Sequence, residues 1–130
     1  MGLDLLIRIQ TDFRTDESGR NVWTVIQLGN LRNCWNIYNQ LSDRLENGFN
    51  SCATHTFYGK TFHEVLEAMQ DELIQVTELS KIKEINSYQK CYLEHKIAAL
   101  DFEIDKLENF IAVNNVHNDD TQDYQVHAWW

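Results

Sequence analysis

Four side chains in this sequence carry the chemistry of a metal site. Two residues separate Cys52 from His55, and three separate Cys91 from His95, so a helix would place the second pair on one face, one turn apart. Two thiolates and two imidazoles make a tetrahedral zinc donor set. Against this, free cysteine is among the most often buried side chains, which makes Cys34 and Cys91 small core residues and leaves His55 and His95 solvated. Neither pair has the double-cysteine knuckle of a zinc ribbon, so no metal and no cofactor are expected. The other catalytic signatures are missing. There is no glycine-rich phosphate loop, His63-Glu64 does not continue to a second histidine four residues on, and there is no Gly-x-Ser-x-Gly elbow. Nothing pairs any cysteine with a particular histidine as nucleophile and base, and the chain is expected not to be an enzyme.

Carboxylates are the remaining reactive groups. Glu64, Glu67, Asp71 and Glu78 recur at helical spacing, as do Asp101, Asp105 and Glu108 farther on. Side chains one helical turn apart are separated by about 6 Å along the axis, so such rows present the regular negative charge of a phosphate backbone. A magnesium site for hydrolysis would need the carboxylates to converge, and outward helix faces do not. The plainer assignment is a solvated outer face, balanced in part by Lys96 and Lys106.

The charge balance narrows the partners. The sequence holds 11 Lys and Arg against 20 Asp and Glu, a net charge of −9 over 130 residues. Residues 1–60 are neutral and residues 61–130 carry the whole excess; every arginine lies at or before Arg44 and every lysine at or after Lys60. A surface of that sign repels phosphate, which disfavours direct nucleic-acid binding and acidic membranes. It attracts a basic protein surface, including one that ordinarily holds DNA or RNA. The opening Met1 to Arg8 has no basic leader ahead of its apolar residues and Leu6 where a myristoylation signal needs a hydroxyl. Three cysteines make an odd count, favouring reduced thiols. These features predict a cytoplasmic location.

The elements that must position these groups follow from periodicity. Leu3, Leu5 and Ile7 alternate with Asp4, Leu6 and Arg8 as in a strand starting near the N-terminus, and Val22 to Leu28 read as a second. Thr11 to Arg20 between them is the expected turn region. Asn30 is the expected N-cap of a helix whose apolar stripe is Leu31, Cys34, Trp35, Tyr38, Leu41 and Leu45, stopped at Asn47-Gly48. Thr54 to Tyr58 has the makings of a short third strand. Thr61 and Glu64 have the form of a capping box opening a helix that reaches about Leu79. After a turn near Ser80, Leu93, Ile97, Leu100, Ile104, Leu107 and Ile111 are spaced 4-3-4-3-4, a coiled-coil-like seam on a helix over 87–113. Asn114 to Asp123 is a polar, acidic stretch. Tyr124, Val126 and Ala128 alternate as an edge strand would, and Trp129 and Trp130 offer large rings for docking on the parent domain or on a partner.

The expected fold is α+β: a small antiparallel sheet packed with an amphipathic helix, followed by long helices. It divides into a head over 1–79, a long helix over 80–113 and a tail over 114–130. Because the seam exceeds what a small sheet can cover, Leu93, Ile97, Leu100, Ile104, Leu107 and Ile111 are expected to pair two copies as a homodimer.

With these elements in place the chain resembles a loose group of small phage and prophage proteins. The resemblance rests on the opening Met1 to Asp4, the helix around Leu31-Arg32-Asn33-Cys34-Trp35, the Gly48 to Cys52 loop, Phe57-Tyr58 and the helix from Phe62 to Met69. It covers roughly residues 1–79 and brings no catalytic residues with it. What it implies is a phage origin and an accessory role during infection. The functional expectation is a non-catalytic protein that binds and inhibits a host protein, foremost in a nucleic-acid-handling or defence complex. Its contacts would be Glu64, Glu67, Asp71, Glu78, Asp101, Asp105, Glu108, Trp129 and Trp130. The alternatives are a zinc-stabilised regulator or small enzyme using Cys52, His55, Cys91 and His95, and a structural phage component.

Overall fold

The computed structural model describes residues 2–50 and 53–130, apart from the side chains of Asp12 and Phe13. The elements run β1 (Asp4–Thr15), β2 (Asn21–Asn30), α1 (Trp35–Asp43), β3 (Thr54–Tyr58), α2 (Gly59–Ser80), α3 (Ser87–Val113) and β4 (Asp123–Trp129). All strand pairs are antiparallel and the sheet order is β2-β1-β4-β3. The fold is α+β.

Alternation dictates the sheet. Leu3, Leu5 and Ile7, then Tyr124, Val126 and Ala128, point to one face and are buried. On the opposite face Leu6 stands beside Asn30 and His127, and Arg8 beside Gln27 and Gln125. The buried face packs on Ile37 and Leu41 of α1, Phe62, Val65, Met69 and Val76 of α2, and Leu100, Ile104, Leu107 and Phe110 of α3. This is the one-sided burial typical of antiparallel sheets.

The first hairpin is longer than its sequence suggests. Thr11, Phe13 and Thr15 continue β1 opposite Thr24, Trp23 and Asn21, so only Asp16 to Arg20 turn. The Asp16 carboxylate accepts from the Ser18 and Arg20 amides, both at 2.9 Å, and Gly19 takes a positive φ of 80°. This local closure lets the β-branched residues on either side pair instead of looping.

Two helix starts also differ from expectation. Asn30 is not an N-cap. It ends β2, where its side chain accepts from the Leu5 amide at 3.0 Å and donates to Asp4 at 2.8 Å, while α1 begins only at Trp35 after Cys34. The Thr61–Glu64 capping box does not form, because α2 already starts at Gly59. There the His117 carbonyl approaches so closely that no Cβ fits, and the Lys60 amide donates to Asp119 at 2.9 Å. The capping box of this fold opens α3, where Asn86 and Gln89 satisfy each other's backbone amides. The expected span 87–113 of that helix is the observed one.

The C-terminal stretch is neither a tail nor an edge strand. β4 lies between β1 and β3, with Leu5 opposite Ala128 on one side and Phe57 opposite Tyr124 on the other, so residues 123–129 belong to the same sheet as the N-terminus. The division into head, helix and tail gives way accordingly. The proposed dimer seam is likewise consumed within the protomer. Leu100, Ile104 and Leu107 are buried in its own core, with Leu93, Ile97 and Ile111 packed against that core. A helix with α2 on one flank and a sheet beneath it has no such seam left for a second copy.

An interior strand tolerates a change on its buried face far less than one on its open face. Val126→Asp places an unpaired carboxylate in the core and is expected to cost at least about 4 kcal/mol, whereas Gln125→Ala stays within about 1 kcal/mol. Urea denaturation followed by circular dichroism checks the difference, and equal losses at the two positions would contradict the placement of β4.

Candidate functional site

The helical layer displays its acids on two helices, α2 and α3. On α2, Glu64, Asp71 and Glu78 fall seven residues apart and form one straight row, with Glu67 beside it, and all four are exposed. Glu64 approaches Arg44 beyond α1 at 3.8 Å, so this row borders α1. On α3, Asp101, Asp105 and Glu108 are also exposed, and Glu108 accepts from Gln70 at 3.2 Å across the α2–α3 groove. Gln70 lines an open pocket with Glu64 and Glu67, so the end of the α3 row at Glu108 meets the α2 acids through this residue. Among the described residues, neither Lys96 nor Lys106 forms an ion pair with the acids of the α3 row. Lys96 turns inward to Glu72 at 3.3 Å, and Lys106 lies 5.1 Å from the centre of the Phe102 ring. Outward carboxylates at this spacing present a negative field to solvent.

The proposed zinc donors are not brought together. Cys91 and His95 lie on the exposed first turns of α3, with Sγ and Nε2 3.9 Å apart. His55 sits in β3, opposite Val126, its ring edge-on to Phe49 at 5.1 Å. Cys52 lies outside the described residues. Among those residues no three His, Cys, Asp or Glu side chains gather in metal-binding range. Two readings from the sequence are corrected: Cys91 is exposed, not a core residue, and His55 is half-buried rather than solvated, with Nε2 enclosed and unpartnered among the described residues. Cys34 is buried as expected. Burial, reinforced by the charge of Glu103, pushes its thiol up to about 12, so it has no thiolate at neutral pH and is chemically inert.

The terminal tryptophans divide. Trp130 stands edge-on to Tyr38 at 5.3 Å, in an aromatic cluster that continues through Phe49 to Phe57. Trp129 is 57% exposed and leans on His127. Anchoring of the C-terminus comes instead from Tyr124, Val126 and Ala128, all buried.

One ionisable residue escaped the sequence analysis. Glu103, only 3% exposed, is the buried charged residue among the described residues. Its carboxylate accepts from the Ile37 amide at 3.0 Å and from the Asn36 side chain, whose oxygen in turn accepts from Lys96 at 2.7 Å. Helix α1 has no side-chain cap of its own at Cys34, and an acid from α3 supplies one. The signal was present: Glu103 lies on the apolar stripe, three residues after Leu100 and four before Leu107, where an acid has no solvated place. Compared with known proteins, the chain matches no protein family, no curated protein and no solved structure.

Burial raises the Glu103 carboxyl above its ordinary range, against the lowering effect of the hydrogen bonds from Ile37 and Asn36 and of the Lys96 charge. A folded carboxyl that holds its proton more tightly than the unfolded one adds most stability at low pH. That contribution is lost as pH rises from about 4.3, the unfolded Glu value, through the raised folded value. Glu103→Gln keeps an acceptor for the Ile37 amide and removes this slope, so its stability relative to wild type should improve between pH 4 and pH 7. Glu103→Ala leaves that amide unpaired and costs about 1–3 kcal/mol. Chemical denaturation of the three proteins across that range is the check, and parallel pH profiles for wild type and Glu103→Gln would contradict the assignment.

Proposed function

We propose that this is a non-catalytic, phage-type binding protein that attaches to a basic surface of a host protein in the cytoplasm and blocks it, with a nucleic-acid-handling or defence complex as the target class. The observation that carries this reading is the acidic row of α2. Glu64, Glu67, Asp71 and Glu78 are all exposed along one helix whose single lysine or arginine is Lys60. A rigid helix holding four carboxylates at fixed spacing is preorganised for a cationic surface and loses little side-chain freedom beyond the carboxylates themselves. Asp101, Asp105 and Glu108 extend the negative field, with Glu108 held beside the α2 acids by Gln70. Trp129, at the exposed end of β4, is placed to add an apolar contact at the rim, while Trp130 is partly occupied by Tyr38. Inertness of the Cys34 thiol and the outward direction of the acids favour binding over chemistry. Since the seam of α3 is internal, the reading no longer depends on pairing through that helix.

The test is affinity capture from a bacterial lysate with wild type and with a variant carrying Glu64→Gln, Glu67→Gln, Asp71→Asn and Glu78→Gln. Four charge contacts at about 0.5 kcal/mol each weaken capture of a basic protein by about thirtyfold. Capture should also fall steeply as salt is raised. Undiminished, salt-insensitive capture by the variant would reject the acidic row as the contact surface.

A further inference from the structure

The four-donor zinc arrangement is not assembled, yet one of its halves is. Cys91 and His95 stand one turn apart on the same face of α3, both exposed, with Sγ and Nε2 3.9 Å apart. A zinc ion holds sulfur at about 2.3 Å and imidazole nitrogen at about 2.05 Å. With a tetrahedral angle between the two bonds, the donor atoms lie about 3.5 Å apart. The observed pair is within about 0.4 Å of that bite, a gap that a small side-chain rotation on an exposed helix turn closes. As a hydrogen bond the same contact is poor, because a thiol is a weak donor and sulfur a weak acceptor. Among the described residues neither side chain has another polar partner. The two border a shallow pocket of about 220 Å³ whose other walls are Tyr88 and Tyr92.

We propose that Cys91 and His95 form a two-point chelate for a thiophilic divalent cation of the zinc class, one ion per chain. Three features select such an ion. The first is the bite just described, which the helix holds ready without any change of backbone. The second is softness: a thiolate beside an imidazole suits zinc-class ions, whereas magnesium and calcium take oxygen donors. The third is the field. Residues 61–130, which include the pair, carry the whole net charge of −9, and a surface of that sign concentrates cations. On binding, a bond forms between Sγ and the metal, the thiol proton passes to solvent, and the neutral imidazole donates the lone pair of Nε2. Among the described residues no third His, Cys, Asp or Glu joins the two, so water fills the remaining positions. Two protein ligands in place of four bring the affinity down from that of a structural zinc site to about the micromolar range. The chelate links residues four apart, so a bound ion also clips together the first two turns of α3. This site is independent of the acidic row on α2 and of the reading built on it.

Cobalt(II) is the probe, because it takes the same donors as zinc and reports a thiolate ligand by a charge-transfer band in the near ultraviolet. The full chain, untagged and kept reduced, is titrated with Co²⁺, and the bound ion is then displaced with Zn²⁺. The band should grow to one ion per chain and vanish when zinc is added. Cys91→Ser should abolish it. His95→Gln should weaken binding at least about tenfold, since even groups that only orient a metal ligand are worth about ten- to a hundredfold. Both positions are exposed, so neither substitution should disturb the fold, and an unchanged circular dichroism spectrum checks this. Zinc should also slow hydrogen exchange over the first two turns of α3 in wild type and leave it unchanged in Cys91→Ser. No band, a band that survives Cys91→Ser, binding unaffected by His95→Gln, or one ion per two chains overturns the inference.

Discussion

β1 and β3 do not pair with each other; each is hydrogen-bonded to β4, so the last strand of the chain is the link that makes one sheet out of a hairpin and an isolated strand. A two-stranded ribbon is marginal in water without further cover, and the five residues of β3 have no other partner. With β4 in place, Val126 and Ala128 complete the apolar floor on which α2 and α3 lie. The contact joins residues at opposite ends of the chain. Closing so long a loop costs little extra free energy, because the entropy grows only logarithmically with length. It does defer assembly of the sheet until the C-terminus has arrived, which sets a slow, non-local step in folding.

Glu103 imposes the second constraint. A carboxylate in the core is tolerated because it meets the first-turn amide of α1 and an Asn36 that is itself bound to Lys96. The arrangement ties α1, α2 and α3 together through polar contacts as well as apolar ones, since Lys96 also reaches Glu72. Such networks add little net stability but penalise alternative packings that leave a charge unpaired. Here the network fixes the position of α1, a short helix with no cap of its own, on the sheet.

What the sequence revealed follows from which forces are local. The span of α3 was legible because its apolar residues keep a 4-3-4-3-4 spacing, while its Asn86 cap emerged only from the structure. The start of β1 was legible from alternation, and β3 from a stretch poor in helix formers. The reach of the first hairpin was not, because Thr11 to Thr15 are polar enough to read as loop and become strand only through their partners on β2. The destiny of β4 was hidden for the same reason: alternation at Tyr124, Val126 and Ala128 identifies a strand, but interior or edge position is decided by what lies on either side. The α3 seam illustrates the converse. Its spacing gave the buried face correctly, yet spacing alone does not distinguish a partner helix in another copy from α2 and the sheet of the same chain. Of the candidate site residues, the acids of the two rows are exposed on outer helix faces as their spacing implies, whereas the role of Glu103 depends on Asn36 and Ile37 of α1, contacts that its own helical spacing does not reveal.

The molecule therefore presents an acidic helical layer held in place by the interior strand at the C-terminus. Native-state hydrogen exchange of the β4 amides measures that dependence most directly. Gln125, Val126 and His127 lie between two strands and should exchange only through global unfolding, with protection equal to the full unfolding free energy. Exchange at those amides as fast as in the Asp16 to Arg20 turn would show that the C-terminal strand frays independently and that the sheet does not depend on it.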